Sequence, residues 1–191
     1  MNAKARVPDP KPFEPIYKTK VKPSVFANTV TRFHTSTNPF KIDNHVFQTD
    51  DGYNLLCFRI RLVDSTKWNK KVVLLNHGFC GSSDSWFLHK ESIGMYFVRL
   101  GYDFWALNHR GNKYNLSHKN KDISPKEFFD FTIHDIATKD IPTVYKNVLR
   151  VSQAESLVNV TFALGGELQV LALVDENTRD YISSRTERSI F

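Results

Sequence analysis

The chain has 191 residues, is 41% hydrophobic and 13% aromatic, and carries a formal charge of +6 at neutral pH. That length suits one domain with a single core, and the apolar content excludes a disordered chain. No apolar run nears the roughly 18–20 residues of a membrane span, and the polar, proline-rich opening from Met1 to Pro15 lacks the apolar segment of a secretory leader, so the chain reads as intracellular and cytoplasmic, with a cytoskeletal, ciliary or mitochondrial setting left open.

The charge sits at one end. Lys4, Arg6, Lys11, Lys18, Lys20, Lys22 and Arg32 face only Asp9 and Glu14 in residues 1–40, so +5 of the +6 belongs to this stretch. Six of the eight prolines lie there too: Pro8, Pro10, Pro12, Pro15, Pro23 and Pro39. Proline fixes φ and removes a donor, so residues 1–40 read as an extended basic arm. An acidic partner surface suits such an arm, tubulin being one example. Phe13, Tyr17, Phe26 and Phe33 interleave the cations, but no nucleic-acid module follows, so nucleic acid is not favoured.

Past the arm, His45 to Thr49 and Tyr53 to Leu62 flank Asp50-Asp51-Gly52, a hairpin signal. Lys71 to Asn76, Tyr102 to Leu107 and Leu157 to Ala163 are short apolar runs, the pattern of strands buried on both faces. Ser85 to Leu100 has apolar positions at helical spacing and stops at Gly101. Ser124-Pro125-Lys126-Glu127 is a helix start with its cap. A helix spans Asp135 to about Arg150, with Pro142 in its first turns, and Leu168 to Val174 opens another. Residues 178–191 form a polar tail. Strands alternating with helices predict an α/β parallel sheet.

Four ordered stretches resemble the acid lipases, the family of lysosomal and gastric lipases. They are Asn38-Pro39 to Arg59-Ile60 with Thr49-Asp50-Asp51-Gly52-Tyr53; Val72 to Trp86 (VVLLNHGFCGSSDSW); Gly101 to His118 (GYDFWALNHRGNKYNLSH), similar to that family's N-x-R-G-N segment; and Phe128 to Pro142. The resemblance covers about residues 38 to 177 and implies a truncated α/β-hydrolase fold, a partial and mostly parallel sheet with flanking helices, at residues 41–177 after the arm.

Such enzymes attack an ester with a serine on a tight G-x-S-x-G turn between strand and helix. A histidine removes the proton, an acid orients the histidine, and two backbone N–H groups hold the oxyanion. At the matching place this chain reads Thr161-Phe162-Ala163-Leu164-Gly165-Gly166. Ala163 takes the serine's position and Thr161 the leading glycine's, and a methyl group is no nucleophile. His77-Gly78-Phe79 resembles the family's oxyanion turn, so Phe79 and Leu164 are the expected vestigial donors. The family's acid and histidine come well beyond the turn, while 28 residues follow Ala163 here. On that reading they and the lipid-gating cap are missing.

The other polar candidates read as structural. His109, His118 and His134 lie in segments whose family role is structural. Asp84, Asp130 and Asp135 suit helix caps and surface charges. Cys57 and Cys80 suit buried thiols. The sequons at Asn115 and Asn159 read as chance matches. No Cys-x-x-Cys, His-x-x-x-His or His-Glu-x-x-His spacing offers a metal set, and no glycine-rich phosphate loop is present, so neither metal nor cofactor is expected. The expectation is a non-catalytic, lipase-like interaction subunit of a larger assembly. The alternatives are an active neutral-lipid ester hydrolase and a non-hydrolytic acyl-lipid-binding module. The strand Leu157 to Phe162 is expected to lack a neighbour, with other protein subunits covering its edge and the isolated chain oligomeric or poorly soluble.

Overall fold

A hairpin forms one edge of the sheet in the computed structural model, which describes residues 22–32 and 39–191. Strands β1 (Phe40–Gln48) and β2 (Asn54–Leu62) pair antiparallel from Phe40 opposite Leu62 to Gln48 opposite Asn54. Gly52 turns between them at φ 100°, and a Cβ there would stand 2.6 Å from the His118 ring, so this turn requires glycine on two counts. Strand β3 (Val72–Asn76) runs parallel to β4 (Asp103–Ala106) and β5 (Leu157–Thr161), while β4 meets β2 antiparallel. β6 (Thr186–Ile190) completes the order β1-β2-β4-β3-β5-β6. Every residue of β3 and β5 is buried, as their unbroken apolar runs predict.

Helices cover both faces, and each face has its own apolar cluster. One cluster joins Phe58, Leu75 and Phe104 of the sheet to α1 (Pro23–Thr31), a 3-10 turn at Ser83–Phe87 and α2 (Ile93–Arg99). The other joins Leu55, Leu74, Trp105 and Leu157 to α3 (Pro125–Phe128), α5 (Ile141–Ser152), α6 (Leu164–Val174) and α7 (Arg179–Arg185). A short helix, α4 (Ile133–Asp135), leads through a π turn at Ile136–Asp140 into α5.

The basic arm is not extended throughout. Residues 23–31 are helical, with Pro23 pre-set for the first turn and Phe26 and Val30 one turn apart on the buried face. Phe26 stacks on Phe58 at 3.9 Å and meets Phe87 edge-on. Lys22 and Arg32 are exposed at its two ends. Lys4, Arg6, Lys11, Lys18 and Lys20 lie outside the described residues.

The single helix expected over Ser85 to Leu100 is interrupted. The polar run His89 to Glu91 is exposed, and Gly94, Met95 and Val98 resume the inward face. Gly101 ends α2 at φ 79°, where a Cβ would overlap the Lys67 carbonyl. The helix expected from Asp135 starts earlier, on a capping box between Thr132 and Asp135, and widens to a π turn just before Pro142. Proline has no N–H to give back four residues, so the wider turn absorbs the missing bond.

The polar tail is also a correction. Residues 179–190 form α7 and β6, with Ile182 fully buried, and β6 pairs parallel with β5 along Leu157 to Val160. The edge of β5 expected to need another subunit is therefore covered by this chain itself. Charge along the tail concealed Ile182, the one buried residue of α7, which docks this short helix. Both sequon asparagines are buried, Asn115 donating to the Asn108 carbonyl and Asn159 inside the sheet, so neither is presented for glycosylation. Cys57 is buried, and burial pushes its thiol pKa up; Cys80, against expectation, is exposed in a left-handed turn at φ 53°. Among the described residues no helix is long and apolar enough to cross a membrane, and no cluster of metal-ligating side chains occurs.

Candidate functional site: the turns after β3 and β5

The C-terminal ends of β3 and β5 lie side by side, Asn76 opposite Thr161, and both chains turn sharply there. After β5, Phe162 donates its N–H to the Asn76 carbonyl, and Ala163 adopts φ 48°, ψ −119° before α6 begins at Leu164. An L-residue pays about 1–3 kcal/mol for such a conformation. The turn is tight enough to dictate its neighbours. A Cβ on Gly165 would stand 2.4 Å from the Asn76 oxygen, so α6 presses on the end of β3 only because glycine is there. Thr161 takes the leading glycine's position without crowding this turn. Its hydroxyl points to β6 and donates to the Ile190 carbonyl at 3.1 Å, over Gly166, which offers no side chain to block it.

After β3, His77-Gly78-Phe79-Cys80-Gly81 folds over the Ala163 turn. A Cβ on Gly78 would lie 2.9 Å from the Phe162 ring and 3.3 Å from the Ala163 methyl, so the two turns are in direct contact. Among the described residues, neither the Phe79 nor the Leu164 backbone N–H has a hydrogen-bond partner. A pocket of about 670 Å3 opens beside them, walled by Phe79, Phe129, Phe131, Ile136 and Leu164 on its apolar side and by His109 and Asn112 on its polar side.

A buried polar layer supports the turn. The His77 Nδ1 faces the Gly78 oxygen at 2.9 Å and so carries the proton, while Nε2 accepts from the His109 backbone N–H at 3.1 Å. His109 in turn places Nε2 at 3.3 Å from the His77 carbonyl, and its Nδ1 has no partner. Burial holds His77 down, to about 4, and burial with the neighbouring His77 holds His109 well below the usual imidazole range. Both rings are neutral at pH 7. Asn108, Asn112 and Asn115 tie the same loop to β2 and to Ser83.

Arg110 anchors the loop from below. Its buried guanidinium bonds to Asp140 and Asp51 and lies 4.0 Å over the Tyr53 ring. Burial pushes Asp140 up, to about 6, against the Arg110 bonds that pull it down; burial also opposes the Arg110 charge, but the two carboxylates outweigh it. This network and the His77–His109 pair are absent from the sequence expectations. Their signal was a run of polar residues directly after a buried strand, Asn108-His109-Arg110.

The remaining candidates lie apart from the turn. Asp135 caps α4, and Asp84 accepts from Tyr114 and pairs with Lys113 rather than capping a helix. His118 packs on Gly52 and Tyr53, His134 pairs with Asp175, and Asp130 is exposed.

Comparison with known proteins agrees with the fold. Residues 71–177, more than half of the chain, match the family described as alpha/beta hydrolase fold. The chain belongs to the α/β-hydrolase family. Residues 34–90 also match the partial alpha/beta-hydrolase lipase region. A probable lipase of Schizosaccharomyces pombe is 30% identical over 70% of this chain and 31% of its own length. The human lysosomal acid lipase/cholesteryl ester hydrolase is 31% identical over 70% of this chain and 35% of its own. The chain thus spans about a third of the length of these relatives. The Pyrococcus furiosus esterase Pf2001 shares the α/β-hydrolase fold at a TM-score of 0.53 and 14% identity, over 83% of this chain and 52% of that one.

Proposed function

We propose that this α/β-hydrolase domain works by binding and does not hydrolyse esters at its strand–helix turn. The observation that carries the reading is Ala163: the strained conformation of a nucleophile-bearing turn holds a methyl group. No oxygen or sulfur at that position can form an acyl-enzyme. Vestigial oxyanion donors at Phe79 and Leu164 fit the same reading, since donors without an attacking group polarise a carbonyl but do not cleave it. The role proposed is that of a lipase-like interaction subunit, its basic residues from Lys4 to Arg32 meeting an acidic protein surface by charge.

A second reading, an acyl-lipid-binding module, is favoured by the apolar walls of the pocket beside the two unpaired N–H groups. The third, ester hydrolysis like that named for the human relative, requires a nucleophile elsewhere in the protein. The deciding experiment exposes the full chain to a fluorophosphonate probe and to nitrophenyl esters of short and long acyl chains. The expected result is neither labelling nor turnover above buffer. Stoichiometric labelling of a serine overturns the reading.

A further inference from the structure

The His77–His109 pair does more than fill space. It joins two segments that wall the pocket: the turn after β3, and the loop after β4 that carries Asn112 and Arg110. The rings touch edge to face with centroids 4.3 Å apart, and the two residues are 3% and 4% exposed, so little water reaches either ring to solvate a charge. Two ring N–H groups already face backbone carbonyls, but one contact needs neutral imidazole. The His77 Nε2 is an acceptor between two donors, the His109 N–H and the Asn112 amide at 3.3 Å. A proton there would set three donors against one another. On His109 a second proton would sit on Nδ1, which has no acceptor.

The surrounding charges offer no relief. Cys80 lies on the turn, Asp84 on the 3-10 turn that follows, Arg110 and Lys113 on the loop, Asp140 on the π turn and Glu167 on α6. None bonds to either imidazole. Arg110 is spent on Asp51 and Asp140, and Asp84 on Tyr114 and Lys113. A buried group with no counter-charge resists ionisation, and when forced to ionise it must leave its site.

We propose that the His77–His109 pair is an acid-sensitive latch that clamps the turn 77–82 to the loop 108–115 at neutral pH and releases both in acid, opening the pocket from that side. The sign follows from linkage. Imidazoles held below their free value stabilise the closed form fully above about pH 6.5, and that stabilisation is lost as pH falls toward 4. The proposal is independent of whether the Ala163 turn hydrolyses anything.

Hydrogen exchange on the full chain, read by segment at pH 7 and pH 5 after correction for intrinsic rates, tests it. Protection across residues 76–85 and 107–116 should fall at least tenfold at pH 5, while β2 and α5 keep theirs. The His77→Gln/His109→Gln double variant, whose amides offer donors and acceptors but take up no proton, should hold equal protection at both pH values. Ring NMR of wild type gives a reading that needs no variant: the two buried histidines should titrate together, below the ordinary value, as the turn opens. Unchanged protection at pH 5, uniform loss across all segments, or free titration near 6.5 with the turn intact would each overturn the latch, as would acid opening of the double variant.

Discussion

Ala163 holds a conformation that glycine reaches without strain. With no nucleophile there to position, that strain has no catalytic return. Ala163→Gly should therefore be stabilising or neutral, by up to about 1 kcal/mol, as relief of strain exceeds the added chain entropy; thermal melts of the two forms give the comparison. Ala163→Ser should leave ester turnover at background. His77 spends both nitrogens on backbone groups, and His109 has Nε2 on the His77 carbonyl and a buried Nδ1, so neither is placed to take a serine proton. Turnover clearly above buffer in that variant would contradict this. Gly165→Ala is expected to cost at least about 2 kcal/mol, because its Cβ would meet backbone rather than a movable side chain. Ala163 itself was legible in the sequence, by resemblance and by the glycines behind it. The His77–His109 contact was not, because it joins residues 32 apart whose pairing depends on β3 and β4 being neighbours.

At the scale of elements, chain patterning located every strand of the domain before the tail. Uninterrupted apolar runs such as Val72 to Leu75 leave little choice. Three elements escaped, α7 with its single buried Ile182 among them. Helix α1 was hidden by proline count and charge, although Phe26 and Val30 stand at helical spacing. Strand β6, TERSI, carries two charges and so resembles a loop; what makes it a strand is the open edge of β5, a tertiary cause. Helix α1 and strand β6 each make an expectation. Phe26→Ala should cost about 3–5 kcal/mol, since its ring is fully buried against Phe58 and Phe87, and denaturant melts would measure it. Removing residues 186–191 should bare the β5 edge and drive self-association, visible by light scattering; a monomeric, cooperatively melting truncation would contradict it.

For the whole molecule, a twisted sheet separates two apolar clusters, and Arg110 fastens the loop at one end of it to the hairpin through Asp51 and to the π turn through Asp140. Asp140→Ala would leave a guanidinium buried with half its partners gone, at about 3–5 kcal/mol. The mostly parallel architecture was legible from the alternation of strand and helix and from the four resembling stretches, whereas the strand order came only with the structure. The layer of asparagines and ion pairs beneath the turn was not, because polar residues after a strand look alike whether they face solvent or one another.

The pairing of β6 with β5 also sets a schedule for synthesis. Between Thr161 and Thr186 lie 24 residues, so a growing chain presents a finished apolar strand before its partner exists. At about 5–20 residues per second, that interval lasts roughly one to five seconds. During it, neighbouring nascent chains on the same message are the most concentrated source of a matching edge, and the translation rate through residues 162–185 becomes a determinant of yield.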